Sequence, residues 1–473
     1  MSRRRVVQGL AAAGVGVAAG NASSASAASQ PQKIWGPIQG GARGRPQSAF
    51  LGDIARHGYL EAEYFVSGAA TAYAPVADLG HDGQWAVTPG QSMPYVTRLL
   101  VRRPREPVRF NGTVVAEWAN VSSGLDVAFM DLPGLYDGCA YVLVSAQRAG
   151  VHGVAGPAAE GMLQWDPQRY APLSIPGESL SYDIFSQAGR VLGRGRRPAG
   201  VDPLGGLRVR QLIAVGVSQS GARLVSYANA IQPRDRVYDA IMPIVFGGAG
   251  AGFGDATPGP IFTRIRTDLT TPVMAMNSES EASFYIPWRQ PDSPRFVYWE
   301  VAGASHISAS RMAFERELAA RDGVSLHWHP SPGDPPVQPS QVSWAPTADA
   351  AIRHVRAWLS DGRPPPSIPP MQVEPGDHPA IRRDGFGNAL GGVRLPELEV
   401  PIARYAGNAP GKGFLLGHTE PFAPDQLAQL YPTHADYVAK VEAAADAAVR
   451  AGVILPERAR AYRVAAQSAP IPA

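Results

Sequence analysis

Three kinds of side chain that together can carry out acyl transfer follow one another along this chain. Ser218 lies in Gly216-Val217-Ser218-Gln219-Ser220-Gly221, two glutamates lie in Asn277-Ser278-Glu279-Ser280-Glu281, and His306 closes Val301-Ala302-Gly303-Ala304-Ser305-His306. A serine hydroxyl is a poor nucleophile near neutral pH. It needs a base to take its proton, a carboxylate to orient that base, and N–H donors for the oxyanion that develops. Gly-x-Ser-x-Ser also occurs as an ordinary turn, so the pentapeptide needs a strand before it and a helix after it to mean more. Its last position calls for a small side chain where strand and helix cross, and Ser220 meets that need by its size.

Each partner has a plainer reading as well. Of ten histidines, His306 alone follows a terminal strand and a Gly-containing turn downstream of an acid, which makes it the base candidate. His327 and His329 stand in a Pro-rich stretch with no carboxylate motif and read as solvated loop residues instead of a metal pair. Glu279 and Glu281 are two residues apart, so alternation cannot choose between them. For the oxyanion, the N–H of Gln219 is the first donor candidate, because it directly follows the nucleophile. Asn120, in Trp118-Ala119-Asn120-Val121, is the candidate for the second.

The elements that must position these groups read as an α/β pattern. Tyr95–Val101 reads as an edge strand, and Val114–Trp118, Ala140–Ser145, Leu212–Val215, Asp239–Phe246, Pro272–Met276 and Arg295–Val301 as buried strands. Helices are expected from Ser181 to Leu192, through Asn229 after Ser218, over Asp349–Leu359, and between Tyr431 and Gly452. Strands alternating with helices predict a mostly parallel sheet covered on both faces. The run Gly247-Gly248-Ala249-Gly250-Ala251-Gly252-Phe253-Gly254 lacks the spacing of a dinucleotide loop and reads as a flexible hinge of a lid insertion over about 247–270. The domain expectation is a signal segment 1–27, a catalytic domain 28–366 and a C-terminal helical extension 367–473.

The 473 residues, 45% hydrophobic and 18% charged, suit a large globular core. The first 27 residues hold three arginines and no acid, so the remaining chain is balanced and offers nucleic acid no basic face. Ser2-Arg3-Arg4-Arg5-Val6-Val7, the Ala/Gly/Val-rich stretch to Gly20 and Ala25-Ser26-Ala27 form a twin-arginine export pattern with a small-residue cleavage site. Its apolar stretch is short for a membrane span, so the mature protein is expected to be secreted without a stable anchor. Cys139 is the single cysteine and reads as a small packed apolar residue.

These segments together resemble a bacterial family of proteins described by their alpha/beta hydrolase domain. The likeness rests on His57-Gly58-Tyr59, Phe110-Asn111-Gly112-Thr113, Glu117-Trp118-Ala119-Asn120-Val121, Ser181–Gln187, Ser218-Gln219-Ser220, Trp299–Gly303 with His306, and Leu430-Tyr431-Pro432. The resemblance implies the α/β-hydrolase fold, whose triad runs Ser, acid, His as here. In that family the acid segment reads Ser-Glu-Thr-Asp, which places Glu281 where the aspartate stands and favours it over Glu279. It implies a serine hydrolase and says little about substrate. The residues themselves lead to the expectation of a hydrolase acting on a small-molecule carboxylic ester or lactone through an acyl-enzyme, and they imply no metal or organic cofactor. An acyltransferase would use the same residues with an alcohol in place of water, and a secreted binding protein would have lost the chemistry. Serine at the elbow disfavours chemistry that needs an aspartate nucleophile.

Overall fold

Short apolar runs with no polar alternation suit strands buried on both faces, and the structure uses all six of those read from the sequence in this way. The computed structural model describes residues 32–154, 160–255, 261–326, 338–376, 379–408 and 415–471. The export segment 1–27, residues 256–260 of the lid expectation, and His327 and His329 lie outside the described residues. The chain divides into two compact units, Met1–Val273 with Leu318–Leu326, and Met274–Glu317 with His327–Ala473.

The first unit carries seven sheet strands: β1 (Lys33–Trp35), β2 (Tyr59–Pro75), β3 (Val87–Pro104), β4 (Thr113–Trp118), β5 (Ala140–Val144), β6 (Gln211–Val217) and β7 (Ala240–Ile244). Their order is β1-β2-β3-β5-β4-β6-β7. β2 and β3 form a long antiparallel ribbon and β3 also runs antiparallel to β5. The pairs β4·β5, β4·β6 and β6·β7 are parallel. Tyr95–Val101, read as an edge strand, is thus part of a longer strand that is not an edge, because β3 pairs with β2 on one side and β5 on the other. Its arginines explain why the rest was harder to see. Arg98 and Arg102 are buried and face carboxylates, Arg98 meeting Asp126 at 2.9 Å and Arg102 meeting Glu61 at 2.7 Å and Asp131 at 3.0 Å.

Helix α1 (Ser181–Leu192) has the boundaries read from the sequence, and α2 (Gln219–Ser226) follows the elbow before a π-helical turn at Tyr227–Ile231. The Gly-rich run is tethered. Ala249–Gly250 pairs antiparallel with Ile261–Phe262. The Ser226 hydroxyl donates to the Ala251 carbonyl at 2.7 Å, and the Tyr182 hydroxyl donates to the Gly252 carbonyl at 3.0 Å. The expected flexible hinge is therefore a hydrogen-bonded segment, because small residues let its carbonyls approach α1 and α2.

The second unit holds the strands β8 (Val273–Ser278) and β9 (Phe296–Val301), neighbours in their sheet, and helices α3 (Glu279–Tyr285), α4 (Ala345–Asp361), α5 (His434–Arg450) and α6 (Pro456–Gln467). Residues past 366 belong to this unit and bridge to it through Val301 and Val393. Val400, Leu427, Tyr431, Tyr437, Val441, Ala466 and Ile471 form an apolar cluster around α5, with Tyr462 packed against it.

Glu397 stands among these tyrosines, and burial pushes its carboxyl from the ordinary 4.5 up to about 7. Its Oε2 is shielded from solvent and has no hydrogen-bond partner. The folded chain therefore holds this proton more tightly than the unfolded chain. Its contribution to stability is fully present below pH 4.5 and is lost as pH rises through about 7. Glu397→Gln removes the titration, so its melting temperature relative to the parent should climb by several degrees between about pH 5 and about pH 8. A difference that stays constant across that range in thermal melts contradicts the assignment.

Candidate active site

A strand that ends against a helix with almost no linker must turn sharply, and the turn at Ser218 does so with φ 61 and ψ −120. Few non-glycine residues adopt such a conformation. It is held by backbone partners. The Ser218 N–H donates to the Ile244 carbonyl of β7 at 2.9 Å, and its carbonyl accepts from the Ala222 N–H of α2 at 3.0 Å. Glycine is required on both sides. A Cβ on Gly216 would collide with the Ser220 carbonyl, and one on Gly221 would sit 2.9 Å from the Ile244 oxygen.

Ser218 and Ser220 then separate by environment. Ser220 is fully buried, and its hydroxyl accepts from the Val217 N–H and donates to the Val217 carbonyl, both at 3.0 Å. Its oxygen braces the turn, which goes beyond the small size expected of it. Ser218 is 8% exposed and its side chain makes no capping bond to α2 although it occupies the N-cap. Its hydroxyl is the one available for chemistry.

The loop after β4 lies beside the elbow within the same unit. Asn120 is placed there, but its backbone N–H is already bound. Its N–H goes to the Val127 carbonyl at 3.2 Å and its amide nitrogen to the Val217 carbonyl at 2.9 Å. Asn120 thus ties the loop to the strand of the elbow. The adjoining Val121 N–H has only a long contact, 3.5 Å, to Gln219 Oε1. Nothing in a valine announces a backbone donor, so this group was invisible to residue-type reasoning. The Gln219 N–H opens the first turn of α2, where N–H groups have no partner within the helix.

In the second unit, α3 starts directly from β8 with a capping box. Ser278 accepts from the Ser280 N–H at 3.2 Å, and Glu281 Oε2 accepts from the Ser278 N–H at 3.2 Å and from its hydroxyl at 2.5 Å. The other oxygen, Oε1, lies 2.7 Å from His306 Nδ1. Both side chains are nearly buried, 5% and 6% exposed. A carboxylate at that nitrogen assigns the Nδ1 proton to the bond and leaves Nε2 as the acceptor. The His306 main chain is fixed too, its N–H donating to Ser280 Oγ at 3.1 Å and its carbonyl accepting from Trp344 Nε1 at 3.1 Å.

Glu279 has a different role. Its Oε2 accepts from the Gly303 N–H and its Oε1 pairs with Arg383 Nη2, both at 2.7 Å. Gly303 is at φ 71, so Glu279 holds the left-handed turn that leads to His306. The structure thus brings Glu281 to the histidine and commits Glu279 to the turn. Among the described residues no group of three or more His, Cys, Asp or Glu side chains is placed to hold a metal ion.

A family model described as "Alpha/beta hydrolase domain" matches residues 34–464. No curated protein is similar enough in sequence to match. Among solved structures, a ferulic acid esterase from Streptomyces cinnamoneus aligns at 17% identity over 63% of this chain and 91% of its own, with a TM-score of 0.32. An α/β serine hydrolase without a lid from Xanthomonas campestris aligns at 13% over 54% and 91%, with a TM-score of 0.29. Brefeldin A esterase, a bacterial homologue of human hormone sensitive lipase, aligns at 14% over 43% of this chain, with a TM-score of 0.22, and the match spans 45% of its length. None of these likenesses bears on substrate.

Glu279 and the two serines make separable predictions about stability. Ser220→Ala removes both hydrogen bonds to the Val217 backbone, and Glu279→Gln leaves one acceptor oxygen for the two donors of Gly303 and Arg383, so each should lower unfolding free energy by about 1–3 kcal/mol. Ser218→Ala, which removes an unbonded hydroxyl from a strained residue, should leave it within about 0.5 kcal/mol. Urea unfolding of the three variants checks this, and a Ser218→Ala protein as destabilised as Ser220→Ala contradicts it.

Proposed function

Because this chain belongs to the alpha/beta hydrolase domain family, we propose that it is a serine hydrolase that cleaves carboxylic esters, lactones among them, through an acyl-enzyme on Ser218. The observation that carries the reading is the backbone of Ser218, held at φ 61 on a strand-to-helix turn with a hydroxyl that caps nothing. Strain of this kind persists where surrounding structure enforces it, and it exposes a nucleophile.

The chemistry follows from the groups already described. Ser218 Oγ attacks the acyl carbon while His306 Nε2 takes its proton. The carbonyl oxygen becomes an oxyanion that the backbone N–H groups of Gln219 and Val121 stabilise. His306 then returns the proton to the leaving alcohol. Water repeats the sequence on the acyl-enzyme and releases the acid. Glu281 fixes the tautomer of His306 and stabilises the imidazolium that forms twice in each turnover. Val121 replaces Asn120 as the second donor in this reading, because the Asn120 N–H is committed to the Val127 carbonyl within the loop. Export by the twin-arginine route belongs to the same proposal and is supported by Ser2-Arg3-Arg4-Arg5-Val6-Val7 and Ala25-Ser26-Ala27. Lysine at all three arginine positions should hold the protein inside the cell, read by fractionation.

A panel of p-nitrophenyl esters and lactones with the mature protein tests the activity. Ser218→Ala should lose labelling by a fluorophosphonate probe and roughly 10⁴-fold or more in turnover. Glu281→Gln should lose about 10³–10⁴-fold with labelling slowed in parallel, whereas Glu279→Gln should change turnover of the folded protein far less. Undiminished labelling of Ser218→Ala would remove the basis of the reading.

A further inference from the structure

Gln147 has no part in the chemistry above, yet it is only 1% exposed and lies three residues beyond β5. Its side-chain amide makes a reciprocal pair with that of Gln219. Gln147 Nε2 donates to Gln219 Oε1 at 3.1 Å, and Gln219 Nε2 donates to Gln147 Oε1 at 2.7 Å. The orientation of each amide is set by a backbone partner. Gln147 Nε2 also donates to the Ala119 carbonyl at 3.2 Å, so that end must be the nitrogen. The Val121 N–H faces Gln219 Oε1 at 3.5 Å, so that end must be the oxygen.

The pair therefore joins the ends of three adjacent strands: β5 through Gln147, β4 through Ala119 and Val121, and β6 through Gln219. Two of the residues it touches are those whose N–H groups stabilise the oxyanion in the reading above. At 3.5 Å the Val121 N–H is weakly held, so little is lost when it turns to a developing negative charge. Donors that are already in place cost no reorganisation at the moment of reaction.

We propose that Gln147 is a positioning residue for ester cleavage: through its amide pair with Gln219 it holds the Val121 N–H and the start of α2 in the geometry that receives the oxyanion. The inference rests on Ser218 being the nucleophile. Without Gln147, the Gln219 side chain is free to rotate onto Val121 or away from it, and the Ala119 carbonyl loses its donor. Either change moves the second oxyanion donor while leaving the nucleophile and the base untouched.

Gln147→Glu gives a readout that packing alone would not. Ionised, the new carboxylate accepts from Gln219 Nε2 but opposes the Ala119 carbonyl, Gln219 Oε1 and the oxyanion; protonated, it regains a donor. The ratio of variant to parent kcat cancels the titration of His306 common to both, and it should rise as pH falls. Gln147→Leu, with no hydrogen bonds, should lose roughly tenfold or more in kcat at a KM within about twofold of the parent, with a ratio that does not vary with pH. Gln219→Leu changes a partly exposed side chain, keeps its backbone N–H and breaks the same pair, so it should reproduce the loss even if a change at the buried Gln147 unfolds the protein. Parental kcat in Gln147→Leu or Gln219→Leu, or a Gln147→Glu ratio that is flat with pH, overturns the proposal. Ser218→Ala in the same assay separates the two levels: if it is inactive while the glutamine variants are unimpaired, only the positioning role has failed, and if it is active, the nucleophile itself was misplaced.

Discussion

A serine at φ 61 and ψ −120 is uncomfortable by about 1–3 kcal/mol, and the first unit is arranged to keep it there. The restraint is mutual between two parallel strands. β6 leads directly into Ser218, whose N–H is bound by Ile244, and the next residue after Ile244, Val245, is itself at φ 43 despite its branched side chain. Two unfavourable conformations therefore sit just beyond one strand pair, with Gly221 of α2 packed against Gly216 and Ile244 so closely that no larger residue fits. Ser220 closes the arrangement by binding the Val217 backbone on both its donor and its acceptor. Relaxing any one of these contacts would let the serine fall back toward an ordinary helical start, where its hydroxyl would cap α2 as N-cap serines commonly do.

The proposed role of the Val121 N–H sets a related requirement, since a loop that offers an N–H to an oxyanion has to be rigid without spending it. It is met by burying charge. Glu117 in β4 accepts from the N–H groups of Phe129 and Met130 at 2.8 and 2.9 Å, which folds the loop back on its own strand. Asp126, fully buried, is bound by Arg98 and by the Ser145 hydroxyl at the end of β5. Burial pushes the Asp126 carboxyl up, and the Arg98 guanidinium works against that rise. Buried ion pairs seldom add much net stability, because desolvation offsets the attraction. What they do is penalise any rearrangement of the loop that would part the charges.

Most of this architecture was readable because it follows from periodicity. Runs such as Val114–Trp118 and Leu212–Val215 have no polar alternation, and the amphipathic Ser181–Leu192 segment has its boundaries where Gly193 follows. The long ribbon of β2 and β3 was less legible, since Arg98 and Arg102 look like surface residues until their partners from distant loops are known. The elbow was legible as a motif, but the division of labour between Ser218 and Ser220 was not, because both are serines and only the hydrogen bonds to Val217 tell them apart. Asn120 was named from its place in the loop after β4, but its N–H is bound by the Val127 carbonyl, while the next N–H, that of Val121, has only a 3.5 Å contact. Between the glutamates there was a local signal that alternation hid: Ser278-x-x-Glu281 at the end of a strand is a capping-box pattern, and it singles out the glutamate whose carboxylate is turned back toward the strand end.

That pattern also gives a physical reason for glutamate where the family resemblance leads one to expect aspartate. A capping box asks for Glu or Gln at the third helical position, because only the longer side chain reaches back to the N-cap N–H. Glu281 meets this demand with Oε2 and still presents Oε1 to His306 at 2.7 Å. One carboxylate thus starts α3 and orients the histidine, and the two tasks reinforce each other: the cap fixes the rotamer, and a fixed rotamer is what an orienting acid needs. An aspartate at 281 would be too short to do both from the same backbone, so it would have to leave either Ser278 or His306. The extra methylene is better understood as the element that lets β8 pass into α3 without a linker while the acid remains on its base.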